Sequence, residues 1–201
     1  MYPKDKTAGG TWFSMNENGT VIVLLNGASN NHQRTPPYRK SRGLVVLDII
    51  SSGNPIDFIR ALDLENIEPF TLVVFHTRKL WELRWDGNQK WLKPLDSSLP
   101  HIWSSWTLYN EESQTIRNRY FEEFMAQDTY MNAQKVLDFH QDNHGDFENG
   151  FVIDRENGLK TLSVTQVISE KDQCVLRHLD LNSGQGETVS LPITSPMTSG
   201  V

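Results

Sequence analysis

Asn26 closes a run of five apolar residues, Val21-Ile22-Val23-Leu24-Leu25, and precedes Gly27. A polar side chain at the end of a buried strand, beside a flexible hinge, is where a layered α/β protein often places a site. The bland alternative is a turn-forming Asn satisfied by local backbone. Arg42 stands next to Ser41, the expected cap of a helix. A guanidinium binds a carboxylate at two points, so Arg42 could hold a substrate carboxylate or pair with Asp48. Arg155, just ahead of Glu156-Asn157-Gly158, is a second candidate anion contact. Thr161, Ser163 and Thr165 alternate with Leu162 and Val164. Their hydroxyls therefore share one strand face, which lines a pocket if it points inward. Ser104 and Ser105 lack the Gly-x-Ser-x-Gly elbow of a serine nucleophile and read equally as small polar positions of a strand or as hydroxyls able to donate one hydrogen bond. His140 shares an apolar helical stripe with Ala133, Val136 and Leu137, as a core residue or the wall of a ligand pocket. His140 and His144 are spaced to meet one metal from a helix, but no Glu follows the first His and no third ligand is evident. No metal site and no cofactor motif is predicted. Nothing near Cys174 would stabilise a thiolate, so it reads as structural.

These residues need elements to hold them. Thr11–Met15 and Thr20–Leu25, joined through Asn16-Glu17-Asn18-Gly19, predict a β-hairpin. Its return strand is apolar throughout and should be covered on both faces. Ser41 starts a nearly all-apolar helix to about Ser52, and Asn54-Pro55 starts a second. Phe70–Phe75 reads as a buried strand. Leu80–Trp85 alternates, with Trp81, Leu83 and Trp85 inward and Glu82 and Arg84 wet, and Lys90–Leu95 continues the meander. His101–Tyr109 is a further strand candidate. Helices are expected to about Gln127, striped by Ile116, Tyr120, Phe121 and Phe124, and from Asn132 to Asp142. Strands follow at Gly150–Ile153, Leu159–Ile168, Cys174–Leu181 and Glu187–Leu191. The order is strands, helices, strands, helices, strands. It predicts an α+β protein of stacked layers with mostly antiparallel sheets.

The chain has 201 residues, 37% hydrophobic and 22% charged, with net charge −6. That suits a globular fold with a substantial core. Acidic balance and the absence of a basic cluster argue against nucleic acid as partner. No apolar run reaches the roughly 20 residues of a membrane helix. The single cysteine rules out an internal disulfide framework. With no leader at Met1-Tyr2-Pro3-Lys4, a cytoplasmic setting is expected. One domain over 1–193 with a flexible tail over 194–201 is predicted.

Several blocks carry a family resemblance: Tyr2-Pro3-Lys4-Asp5 through Gly9-Gly10-Thr11-Trp12; Asn18-Gly19 to Asn26-Gly27; and Pro36-Pro37-Tyr38-Arg39-Lys40-Ser41-Arg42-Gly43. Ile102-Trp103-Ser104-Ser105 with Thr107-Leu108-Tyr109, Arg119, Phe139-His140, Gly145-Asp146 and Lys160–Thr165 extend it over roughly residues 2–192. On these residues the chain resembles the NRDE family, also called the Transport and Golgi Organization family, and its bacterial members most. The resemblance implies a four-layer αββα sandwich of the N-terminal-nucleophile hydrolase type. It also implies hydrolysis of linear amides by an N-terminal cysteine whose α-amine, with a pKa of about 8, serves as base. By resemblance Asn26 would donate to the oxyanion. Ser105, where relatives carry Ser-Asn, would be a second donor. Arg42, Arg155, His140, Ser163 and Thr165 would contact a small acyl-amide substrate.

The family pattern opens with Met-Cys and an Asn-Arg-Asp-Glu block, whereas this chain opens at Met1-Tyr2. The expectation is therefore a member lacking its N-terminal strands and its nucleophile, inactive alone. The alternative is a non-enzymatic binding or trafficking protein for lipid or haem on the same fold.

Overall fold

The opening hairpin forms as β1 (Phe13–Met15) and β2 (Val21–Asn26). Asn16 shapes its turn: its Oδ1 accepts the backbone N–H groups of Asn18 and Thr20, both at 3.1 Å. Gly19, at φ +70°, supplies the left-handed residue that the turn requires. A computed structural model describes residues 1–127 and 130–194. β3 (Phe70–His76), β4 (Lys79–Trp85) and β5 (Lys90–Leu95) join the hairpin in one antiparallel sheet, ordered β1-β2-β3-β4-β5. A second antiparallel sheet holds β6 (Ser163–Ser169), β7 (Gln173–Asp180) and β8 (Gly186–Pro192) in sequence order.

Helices α1 (Arg42–Ile50) and α2 (Pro55–Ala61) begin where their caps predict. Ser41 Oγ accepts from Leu44 N–H, and Asn54 Oδ1 accepts from Ile56 and Asp57 N–H. Their apolar faces cover one side of the large sheet. Val46, Ile49 and Ile59 are fully buried against Ile22, Leu72, Val74 and Leu83. The residues between these on β1 and β2 face the other way. Phe13, Met15 and Val21 pack on Val167, Cys174 and Leu176 of the small sheet. α4 (Ala133–Gln141) leans on the far side of β6, where Gln166 Nε2 donates to the Ala133 carbonyl at 2.7 Å. α3 (Glu111–Met125) packs on α4 through Phe124 stacked on Phe139, ring centroids 4.4 Å apart. The result is a mixed α+β protein of two antiparallel sheets and, among the described residues, four helices.

Two glycines hold α1 against the hairpin. A Cβ on Gly10 would lie 2.5 Å from the Gly43 carbonyl carbon, and one on Gly43 would lie 2.8 Å from Thr11 N. The Gly-Gly-Thr-Trp and Ser-Arg-Gly blocks thus meet backbone to backbone, and only hydrogen fits between them.

Three expectations are corrected. His101–Tyr109 is not a strand. Long-range side-chain bonds hold it instead, and the Leu108 and Tyr109 N–H groups fold back onto the Ser105 carbonyl. Gly150–Ile153 is irregular, and Leu159–Leu162 precedes β6; an isolated bridge between Asp154 and Lys160 and bonds between Ile153 and Thr161 join the two without making them strands. Glu82 is not on a wet face: it is 4% exposed, and segment 101–105 covers it. Thr194 donates its N–H to the Glu17 carbonyl at 2.9 Å. The rest of the expected tail, 195–201, lies outside the described residues.

Candidate functional site

A cleft of about 640 Å³ opens between the two sheets. Its floor is the outward alternation of the large sheet: Phe13, Val21, Val23 and Phe75. Its roof is the opposite alternation of β6. Val167 turns inward with its register partner Leu176, and the two-residue period brings Ser163 and Thr165 to the same face. Val136, Leu137 and His140 of α4 close one side with Trp103, Phe151 and Arg117. Thr165 Oγ1 lies 2.7 Å from Nδ1 of its cross-strand partner His178.

Trp103 is fixed from behind. Its Nε1–H donates to Glu82 at 2.7 Å, and Arg84 grips the same carboxylate at 3.0 and 3.1 Å, with Lys93 at 3.1 Å. Burial pushes the Glu82 carboxyl up, and these donors more than offset it, leaving it below its ordinary range.

His140 is a neutral imidazole. Burial pulls its pKa from 6.5 to about 4, helped by the positive charge of Arg117 and by His144. Phe151 meets its ring edge-on at 5.1 Å. Among the described residues neither ring nitrogen has a hydrogen-bond partner. His144, its expected companion, bonds instead to the Phe139 carbonyl at 3.1 Å and stacks on Tyr120. No group of three or more His, Cys, Asp or Glu among the described residues is placed to hold a metal.

Arg117 was not singled out by sequence, yet it is the only buried residue of α3. Its Nε donates to Ser104 Oγ at 2.8 Å and its Nη1 to the carbonyls of Asn149 and Gly150 at 3.0 and 2.6 Å. Tyr109 and Phe151 present their ring faces to it at 4.2 and 4.0 Å. The available signal was spacing: Arg117, Phe121 and Phe124 fall at i, i+4 and i+7, so a charge stands on the apolar stripe.

The remaining expected site residues lie elsewhere. Asn26 continues the Ile22–Leu24 alternation on the helix side of its sheet, exposed in a separate groove of about 570 Å³ with Arg42. Arg42 is occupied: Nη1 donates to the Pro69 carbonyl at 3.0 Å, and Nη2 lies 3.2 Å from Glu68. Arg34 and His32 share that carboxylate at 3.1 and 3.3 Å, while Asp48 takes Lys40. Burial draws the Arg42 pKa down and Glu68 opposes it. Ser105 spends its hydroxyl hydrogen on the Asn26 backbone carbonyl at 2.9 Å. Arg155 ties the Leu108 and Glu148 carbonyls together, both at 3.0 Å. The expected set therefore divides. His140, Ser163 and Thr165 share the inter-sheet cleft, Asn26 and Arg42 share the groove, and Ser105 and Arg155 brace loops. Trp12 lines both cavities.

A family model described as Transport and Golgi organisation 2 matches residues 1–173. No curated protein matches the chain.

Proposed function

Given that the chain belongs to the Transport and Golgi organisation 2 family, we propose that it binds a small acyl-bearing molecule between its two sheets. The acyl part lies on Phe13, Val21, Val23 and Val136, and the polar part meets Ser163, Thr165 and His140. The observation that carries this reading is the cleft itself. Its volume of about 640 Å³ falls in the roughly 300–1,000 Å³ range of small-molecule sites, which combine apolar walls with a few convergent polar groups.

On this reading the layers are those of an αββα sandwich like the N-terminal-nucleophile hydrolases, and the ligand is a linear amide. The residues described here would hold the amide rather than cleave it. The one cysteine, Cys174, is buried between the sheets. The cleft hydroxyl nearest a base, Thr165, is paired with its ordinary cross-strand neighbour. The test is titration with N-methyl decanamide, followed by tryptophan fluorescence, since Trp12 and Trp103 both line the cleft. Saturable quenching, abolished in Val136→Trp, which fills the cleft, is the expected result. No quenching, or equal quenching in the filled variant, refutes the reading.

A second reading has one observation in its favour. His140 offers a neutral imidazole, without a hydrogen-bond partner among the described residues, at an apolar wall, which suits haem carried as cargo. Added haem would then give an absorption band that disappears in His140→Ala; a band of equal intensity in both proteins excludes it.

A further inference from the structure

Arg117 is 6% exposed and lines the cleft, yet no carboxylate among the described residues pairs with it. Among the described residues its hydrogen bonds engage Nε and Nη1 only. Nη2, with two hydrogens, has no acceptor among the described residues. Three neutral oxygens and two aromatic faces offset part of the charge. They do not neutralise it, and a buried cation without a counter-charge is unfavourable unless something completes it. Of its titratable neighbours, Tyr109 favours the cation, Arg155 repels it, and His140 is driven to its neutral form partly by this guanidinium, so none is a carboxylate counter-charge. The cleft therefore combines apolar walls with one unmatched positive charge.

We propose that Arg117 is the anion anchor of the cleft and that the ligand is an acylated molecule ending in a carboxylate, of the N-acyl amino acid class. The acyl chain lies along the sheet faces, and the carboxylate accepts from Nη2. Guanidinium–carboxylate bonds are among the stronger and more directional contacts a protein makes. No covalent step is involved. The inference rests on the cleft being the ligand site, and the experiment separates the two.

N-decanoylglycine and its methyl ester share chain and amide and differ in charge. Both are titrated into the whole chain, with Arg117→Gln and Arg117→Lys alongside. The acid should bind wild type about 10-fold tighter or more than the ester. Arg117→Gln should abolish that preference, so that acid and ester bind the variant equally, and Arg117→Lys should retain part of it. The wild-type comparison holds even if a variant fails to fold. Equal affinity of acid and ester for wild type overturns the anchor and leaves the cleft reading standing. Failure of both to bind overturns the cleft reading and the anchor with it.

Discussion

Acidification should destabilise this protein through His140 in a defined window. In the unfolded chain the imidazole takes its proton near pH 6.5, and in the folded chain near pH 4. Between those values the unfolded state binds more protons, so stability falls as pH drops from about 6.5 to about 4 and levels off below. At about 1.36 kcal/mol per pH unit the full loss approaches about 3 kcal/mol, and between pH 7 and 4.5 it is about 2 kcal/mol. Carboxylates titrate in the same range, so the measurement must be a difference. Urea denaturation of wild type and His140→Gln at both pH values isolates the imidazole. The variant, which has no group to protonate at this position, should lose about 2 kcal/mol less than wild type over this interval. An NMR titration of the His140 ring gives the independent reading. A midpoint near 6.5, or equal losses in the two proteins, would refute the claim that burial and Arg117 hold this ring neutral.

Other consequences follow from particular contacts. Glu82→Ala strands Arg84 and Lys93 and frees Trp103. We expect a loss of about 2 kcal/mol, below the ~3–5 kcal/mol of a fully buried pair because both cations reach water, together with a red-shifted tryptophan emission; an unchanged spectrum would show that Glu82 does not hold the cleft wall. Gly43→Ala forces a methyl into the Thr11 backbone and should lower stability by about 1–3 kcal/mol. Denaturation midpoints matching wild type would mean that α1 can move off the hairpin freely. Asn54→Ala removes the cap of α2 and should cost about 1 kcal/mol, whereas Asn54→Ser should restore most of it in the same assay.

Local signals carried most of the secondary structure. Ser41 and Asn54-Pro55 announce helix starts because capping is decided within one turn. Asn16 to Gly19 announces its hairpin for the same reason. Segment 101–109 escaped because its partners are distant in sequence: Trp103 reaches Glu82, and Ser105 reaches the Asn26 carbonyl. The same link buries Glu82, which alternation alone places in water. The Gly10–Gly43 crossing shows a family signature acting through packing. Two blocks more than thirty residues apart are linked because their backbones touch, so they say more about how α1 sits on the hairpin than about chemistry.

The cleft lining was legible where a local period decides it, in the helical stripe of His140 and the strand period of Ser163 and Thr165. Ser163 and Thr165 share a face whatever the fold, and the structure supplies only the direction of that face. Asn26 shows the converse. Its place at a strand end is local, but which side of the sheet it faces follows from the parity of Ile22 and Leu24, and that parity points to the helices and not to the cleft. Arg117 lies between these cases. A lone arginine on the Phe121–Phe124 stripe is anomalous in sequence, since an apolar helix face admits a charge only where partners await it. Those partners come from Ser104, Asn149 and Gly150, which no local pattern links to α3. A charge on an apolar stripe is therefore the informative irregularity in this chain, because it marks where distant loops converge on α3 at the cleft wall.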